Sequence, residues 1–431
     1  MKSVLLSALG VAALAAFVWA DPPARVGRLS DIDGNVSFAA AVGSAWQKAV
    51  VNYPLTEGNQ LSTADGARAE IQIGSDTVRL DSDTLATFEA LDDQTVQLRL
   101  DKGRASVTLQ RLGPSQTFQI VTQTASISLS APGRYRVDQA ESGASTIITR
   151  RGQAQVTGGQ TAFQVGPGQA ADIPASGADG YQISSAPALD SWDQWVAERD
   201  SRENASVSTR YVSSEMDGAE DLDQYGRWEV VAGYGPVWFP TVAAGWVPYT
   251  FGSWVWVNPW GWTWVDNEPW GFAPFHYGRW ALITGTWCWV PGPIVARPVF
   301  APALVRWVGG RPWWGHPPDR VSIARAPLGP REVFHPLYHA STTYYRAVNG
   351  IAVARRPHTP PWFAPHAAFA PRPSYASSPL WAPGHRIYRP PSAYGPRPAY
   401  GGNAQVIRTP GRRIWPDGQL PLLWQDRRER H

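Results

Sequence analysis

Apolar and polar residues alternate strictly along much of the first half of the chain. The alternation is clearest in four short segments bounded by Gly, Asp or Ser, at 69–73, 78–80, 96–100 and 105–109. Successive side chains of a β-strand point to opposite faces of a sheet, so a period of two predicts strands with one buried face. No amphipathic helical pattern interrupts them. We therefore predict an all-β domain, either a sandwich or a short solenoid.

The period changes from two to three or four between residues 187 and 204. If this segment forms a helix, one of its faces carries Trp192, Trp195 and Val196, and the opposite face carries charged residues. Asp190 or Ser191 is placed to cap the N-terminus of that helix. We predict a short connector helix whose two tryptophans pack on a neighbouring domain, followed by a polar and acidic linker.

A third pattern begins at residue 225, where a phrase of four residues recurs with a period of 26. It reads Tyr-Gly-Arg-Trp at 225–228, Phe-Gly-Ser-Trp at 251–254 and Tyr-Gly-Arg-Trp at 277–280. Within the repeats, tryptophans alternate with small or β-branched residues, and Gly-Pro, Asn-Pro and Pro-Gly pairs supply turns. The pattern predicts a compact antiparallel β unit of two hairpin-like repeats and a partial third.

The end of the chain differs from the rest in proline content and in charge. Residues 291–431 contain 25 of the 39 prolines and carry 19 Arg, no Lys and 5 acids, a net charge of +14 against −11 for residues 1–290. Such a composition buries too little apolar surface to offset the entropy of ordering. We predict a disordered basic tail that contacts either an anionic partner or the acidic body of the same molecule.

The N-terminus has the pattern of a secretory signal peptide. Lys2 is followed by an apolar run from residue 4 to residue 20, which ends in Val-Trp-Ala before Asp21. The alternative, a membrane anchor, needs about 20 apolar residues. We predict cleavage, and therefore a bacterial protein of the periplasm or cell surface with no transmembrane span. Cys288 is the only cysteine, so an internal disulfide is excluded.

Several motifs between residues 25 and 175 resemble the FecR domain. They lie at 25–36, 58–63, 67–80, 133–137 and 166–171. The resemblance implies a β-rich envelope domain of the kind found in periplasmic sensors of iron uptake. It does not imply signalling, because those sensors carry a cytoplasmic anti-sigma segment and a membrane span, and we expect neither here.

The tryptophan-rich block resembles an uncharacterised domain that commonly follows FecR-type domains in exported bacterial proteins. The likeness is carried by the phrases at 225–228, 233–238, 245–249, 260–265 and 274–280. That family has no established activity, so the resemblance implies no function for the block.

Patterns that indicate catalysis or metal binding are weak. His335 and His339 have the spacing of a metal-binding pair, but Pro336 lies between them and no acidic or cysteine partner has a recognisable offset. Cys288 lies between two tryptophans, where a buried small residue explains it better than a nucleophile. We expect a non-enzymatic protein with no cofactor and no metal.

The tryptophans are the strongest candidates for a binding site, since 12 of 23 lie between residues 228 and 289. Their faces can stack on sugar rings, so one hypothesis is a surface for peptidoglycan or envelope polysaccharide that exposes Trp246, Trp260, Trp262 and Trp270. The alternative is that most of the tryptophans form the core of a small β domain, because Trp is highly buried on average.

Two functional hypotheses follow from these patterns. The first is a periplasmic or cell-surface scaffold that binds envelope glycan through exposed tryptophans. The second is a protein-interaction module of an envelope sensing or assembly system, in which the FecR-like domain recognises a partner protein. Export makes nucleic acid an improbable partner.

The predicted organisation is a signal peptide at 1–20, a FecR-like β domain at 25–175, a helix and acidic linker at 187–223, a Trp-repeat β domain at 224–292, a partly ordered extension at 293–345 and a disordered tail at 346–431.

Overall fold

The computed structural model describes residues 20–308 and 324–350. Strands make up 42% and helices 12% of the structure, which confirms the all-β prediction. The predicted signal peptide, apart from Ala20, and the predicted tail from residue 351 onward lie outside the described residues. Among the helices that are described, none has the length and apolar character needed to cross a bilayer.

The N-terminal domain, residues 27–185, consists of 17 connected strands. In chain order they are β1 (Gly27–Asp33), β2 (Val36–Ala39), β3 (Gln47–Lys48), β4 (Pro54–Leu55), β5 (Gln60–Thr63), β6 (Arg68–Ile73), β7 (Asp76–Leu80), β8 (Leu85–Leu91), β9 (Thr95–Leu109), β10 (Thr117–Val121), β11 (Ser126–Leu129), β12 (Gly133–Gln139), β13 (Ser145–Arg151), β14 (Ala154–Gly158), β15 (Thr161–Val165), β16 (Gln169–Ile173) and β17 (Gln182–Ser185). The last of them begins after the predicted boundary at residue 175.

These strands form two layers that share one apolar core. The first layer has the order β4-β1-β6-β7-β9-β12-β13-β16-β17. The second has the order β3-β2-β5-β8-β9-β10-β11-β14-β15. The chain passes repeatedly from one layer to the other as it advances along both. The domain is thus a sandwich whose strands progress in the manner of a solenoid.

Strand β9 belongs to both layers and corrects one detail of the sequence prediction. The segments 96–100 and 105–109, predicted as two strands, form a single strand of 15 residues. Its first half pairs with β8 in the second layer, and its second half pairs with β7 and β12 in the first. Gly103 lies at the crossing with φ +92°, and a Cβ there would lie 2.4 Å from the Cα of Thr84. Glycine therefore permits the strand to change layers.

The predicted connector helix is α1 (Ser191–Asn204), which lies on the outer face of the first layer. Asp190 caps it, and Trp192 is buried with its Nε1 donating to Ser106 Oγ at 2.8 Å. Beneath the helix Arg79, which is fully buried, forms ion pairs with Glu70, Asp200 and Glu203 at 2.6–2.7 Å. Buried charges are tolerated when they are paired and hydrogen-bonded in this way.

The Trp domain, residues 222–290, begins with the short helix α2 (Leu222–Tyr225). Its strands form three hairpins, which are β18 (Gly226–Val231) with β19 (Gly235–Pro240), β20 (Gly252–Val257) with β21 (Gly261–Asp266), and β22 (Arg279–Ile283) with β23 (Thr286–Val290). Strands β19 and β23 also pair, so the first and third hairpins make one four-stranded sheet. The short helix α3 (Ala273–His276) precedes the third hairpin. That third hairpin is complete, whereas only part of it was predicted.

Beyond the Trp domain the chain packs back on the body. The described part contains β24 (Val305–Val308), which pairs with β25 (Ala324–Pro327), and the helix α4 (Thr342–Val348). The backbone N–H of Phe300 donates to Ala24 at 2.7 Å, so this extension also contacts the start of the N-terminal domain.

Candidate functional site

Three of the four tryptophans predicted to be exposed are buried. Trp260 is 3% exposed, Trp262 8% and Trp270 1%, so their expected exposure is wrong. The C-terminal extension accounts for Trp260, because the ring of Phe300 lies 5.2 Å from it and its Nε1 donates to Tyr344 Oη at 3.3 Å. The alternation of residues in the sequence predicted which face of a strand each tryptophan lies on. It did not show that other elements cover those faces.

The 26-residue period has a clear structural basis. In each hairpin the Trp of the repeated phrase lies directly opposite a second Trp on the next strand, as Trp228–Trp238, Trp254–Trp264 and Trp280–Trp289. The Gly of each phrase lies against that second indole. A Cβ at Gly226, Gly252 or Gly278 would come within 2.5–2.6 Å of an indole atom. Each repeat is thus a hairpin in which an indole packs on a glycine.

Trp246 is the predicted binding residue that stays partly at the surface. It lies on the loop between the first and second hairpins, with its ring 5.6 Å from Trp270 and 5.4 Å from Trp280. The Nε1 donors of Trp246 and Trp280 have no hydrogen-bond partner among the described residues. Both Nε1 atoms are buried, so the exposed part of the Trp246 ring has the chemistry to stack on a sugar but not to donate to it.

The N-terminal domain is open at one end of its sandwich. Among the described strands β17 pairs with β16 alone, so its other edge has unpaired backbone groups. Tyr181 is 36% and Ile183 43% exposed, and the Tyr181 ring stacks 3.7 Å from Phe163 of the second layer. No charged residue occurs between Tyr181 and Leu189. Edge strands are usually protected by charge, a bulge, a covering segment or a very short length, and here the protection is limited to the four-residue length of β17 and to Pro187 after it.

The opposite end of the first layer is covered by the Trp domain. Arg28 of β1 is fully buried, and its guanidinium donates to Asn52 and Gln72 at 3.0 Å and to the carbonyl of Pro269 at 2.9 Å. It also forms an ion pair with Asp221 at 2.5 Å. One side chain therefore links the N-terminal domain, the acidic segment and the Trp domain.

The acidic segment is part of this interface and does not run through solvent as a free linker. Asp217 accepts the backbone N–H of Gly74 at 2.7 Å, and Glu215 accepts the hydroxyl of Ser75 at 2.7 Å. Gly218 leaves room for Arg28, because a Cβ there would lie 2.9 Å from the guanidinium.

Reactive groups are few in the described part of the chain. It contains no cluster of three or more His, Cys, Asp or Glu side chains able to hold a metal ion. Cys288 is buried, with its thiol directed at the carbonyl of Ala281, and burial raises its pKa to about 12. Burial also lowers the pKa of His276 to about 3. Neither group is suited to acid–base or nucleophilic chemistry near neutral pH.

Two family models match the chain. Residues 59–155 match the FecR protein family, and residues 219–331 match a family of unknown function, DUF6600. The chain contains a FecR domain followed by a domain of unknown function. The FecR match lies within the two-layered sandwich, and the second match includes most of the Trp domain and of the extension.

No curated protein matches the chain. Two crystal structures of a candidate anti-sigma factor from Parabacteroides distasonis ATCC 8503 are similar to it, with 13% and 12% sequence identity and a TM-score of 0.27 each. The similarity covers 30% of this chain and 60% of theirs. FecR family proteins are associated with the cell envelope.

Two parts of the structure, strand β17 and the acidic segment at 215–221, had no clear signal in the sequence. Strand β17 was missed because four residues, Gln-Ile-Ser-Ser, are too few to establish a period. The absence of charge between Tyr181 and Leu189 was the available signal for an unprotected edge. The contacts of the acids in residues 215–221 were missed because acidic runs are ordinarily solvated, whereas here they contact Arg28 and the β6–β7 turn.

Proposed function

We propose that this chain is a non-enzymatic binding protein of the bacterial cell envelope. Its FecR domain recognises a partner protein when a strand of that partner pairs with β17. The open end of the sandwich carries this proposal. Unpaired N–H and C=O groups along an exposed edge bind an extended segment through main-chain hydrogen bonds, and side-chain pockets then provide selectivity.

The side chains at the edge define the kind of segment that fits. Ile183 lies opposite the buried Ala171, and Tyr181 stacks on Phe163, so both point toward the space between the layers. An added strand with apolar residues at alternate positions would cover them and close the core. Because residues 181–189 carry no charge, an uncharged segment fits better than an acidic or basic one.

The Trp domain supports this role from the other end of the FecR domain. Its tryptophans are mostly internal, and Arg28 and the acidic segment fix it to β1 and the β6–β7 turn. The edge at β17 lies at the far end of the same layer, eight strands from β4. The Trp domain therefore leaves the recognition edge free.

A charged residue at the edge tests the proposal. Ile183→Lys places an ammonium group where the added strand would pack, in the way natural proteins block strand pairing. Full-length protein should capture an envelope protein from its own cells, and I183K should lose that protein while keeping its fold. Val230→Lys is the matched control, because Val230 is 81% exposed on the Trp domain. Equal capture by I183K and V230K would contradict strand addition at β17.

Glycan binding at Trp246 is a second candidate function, supported by the partly exposed ring of this residue. Trp246→Ala should reduce co-sedimentation with purified peptidoglycan sacculi, since it removes the aromatic face on which a sugar ring would stack. Phe251→Ala, at another exposed aromatic of this domain, is the control. Unchanged sedimentation of W246A, or no sedimentation of the wild type, argues against this site.

A further inference from the structure

We propose that the interface between the FecR domain and the Trp domain is a pH-sensitive latch, closed while its buried carboxyl groups are protonated and loosened when they ionise. The proposal concerns regulation of the molecule and does not depend on which partner the FecR domain binds. It rests on the positions of three aspartates, Asp217, Asp76 and Asp266.

Asp217 lies at the centre of the interface and is 1% exposed. One of its oxygens accepts the N–H of Gly74 in the FecR domain, and the other lies 3.5 Å from Tyr277 Oη in the Trp domain. No cation lies within ion-pair distance of it among the described residues. Arg28 and Arg25 face it from the FecR domain at longer range, and Glu215 faces it from its own segment. The carboxyl group thus bridges the two domains without a neutralising partner.

Asp76 lies beside the same turn on the FecR side of the interface, where Arg111 forms an ion pair with Glu215 at 3.5 Å. Its Oδ1 accepts the backbone N–H groups of Gln110 at 2.8 Å and Arg111 at 3.4 Å. It is buried, and no described residue forms an ion pair with it. Glu215 faces it as a like charge and Arg25 as an opposite one. Ionisation of Asp76 would therefore place a second negative charge next to Glu215.

Asp266 completes the set on the Trp-domain side. Its carboxyl accepts Trp264 Nε1 at 2.8 Å and the N–H of Glu268 at 2.9 Å, and it is buried. Its backbone carbonyl accepts the side-chain amide of Asn52 from the FecR domain at 3.2 Å. Glu268 is the charged group that faces it, and the described residues give it no ion pair.

Burial without a paired cation disfavours the charged form of a carboxyl group. It raises the pKa of Asp217 to about 8 and that of Asp76 to about 7, although backbone N–H donors act in the opposite direction. The pKa of Asp266 is also raised well above its usual range. Arg28 offsets the charge of Asp217 only in part, because it already forms ion pairs with Glu220 and Asp221.

The sign of the pH effect follows from these raised values. A carboxyl whose pKa is higher in the closed state binds its proton more tightly there, so closure is favoured at low pH and weakens as pH rises toward the raised pKa. For Asp217, opening should become easier from the ordinary pKa of an aspartate, about 4, up to its raised pKa of about 8, above which its contribution levels off. A cavity of about 310 Å³ beside Gly74, Ser75 and Glu220 gives solvent access to this region.

Hydrogen exchange on the full-length protein tests the latch. Exchange should be followed from pH 6 to pH 9 in peptides covering 70–80, 214–222 and 264–278, and corrected for the intrinsic rate. Each carboxyl that releases its proton on opening raises the corrected exchange by about tenfold per pH unit below its closed-state pKa, so the set predicts a rise of at least tenfold per pH unit below pH 8. A peptide covering 145–151, in the core of the FecR domain, should show no such rise.

Substitutions then assign the effect to the carboxyl groups. Asp217→Asn keeps the shape but cannot ionise, so its exchange should rise less steeply with pH, whereas Asp33→Asn, at an exposed aspartate, should behave as the wild type. A flat pH profile in wild type, or identical profiles for D217N and wild type, overturns the proposal. If D217N does not fold, the infrared band of protonated carboxyl groups in the wild type decides: the band should be present at pH 6 and diminish by pH 9, and its absence at pH 6 overturns the latch.

Discussion

At the scale of single residues, glycines determine how the tryptophans pack. Gly226, Gly252 and Gly278 each provide the space that an indole of the next strand fills. The repeated phrase was visible in the sequence, and it predicted hairpins in the right place. The packing of indole on glycine could not be predicted from it, because strand register decides which residues lie opposite each other.

Replacement of one of these glycines should destabilise the Trp domain. In Gly252→Ala the new methyl group would lie 2.4 Å from the carbonyl oxygen of Val265 and 2.6 Å from the Trp264 ring, and such overpacking costs about 1–3 kcal/mol. Urea unfolding followed by tryptophan fluorescence measures this loss. Gly166→Ala is the control, because its methyl would meet only the end of the Gln169 side chain. Equal stability of G252A and G166A would show that the glycine is not required.

At the scale of elements, helix α1 was predicted most accurately. Its cap and its change of period are local signals, and the structure confirms the helix between Ser191 and Asn204 with Asp190 as its cap. The ionic contacts beneath it are not local, since Arg79 and Glu203 are far apart in sequence and meet only through the sheet. Local patterns therefore predicted the elements, but not the charged network that fixes them together.

Loss of the cap should loosen α1 from the FecR domain. Asp190 accepts the N–H of Asp193 at 2.9 Å and forms an ion pair with Arg136 at 2.8 Å. Asp190→Ala should lower the free energy of unfolding by about 0.5–2 kcal/mol, measured by denaturant unfolding. Ser191→Ala, at the exposed next residue, should have little effect. If both variants lose the same stability, the cap does not hold this helix.

At the scale of the whole molecule, the two domains share a continuous apolar core. One end of the FecR sandwich is closed by Arg28, the acidic segment and the Trp domain, and the other end exposes β17. The sequence predicted both domains and their order. It could not predict which end is closed, because strand order and domain contacts depend on long-range pairing.

The central claim is that the edge at β17 receives a strand from a partner protein. Site-specific photo-crosslinking in the producing cells tests it most directly, with the crosslinking residue placed at Gln182 or, as a control, at Val230. We predict an adduct with an envelope protein from position 182 only, joined through an uncharged segment with apolar residues at alternate positions. No adduct from position 182, the same adduct from both positions, or attachment through a charged or helical segment would contradict the account.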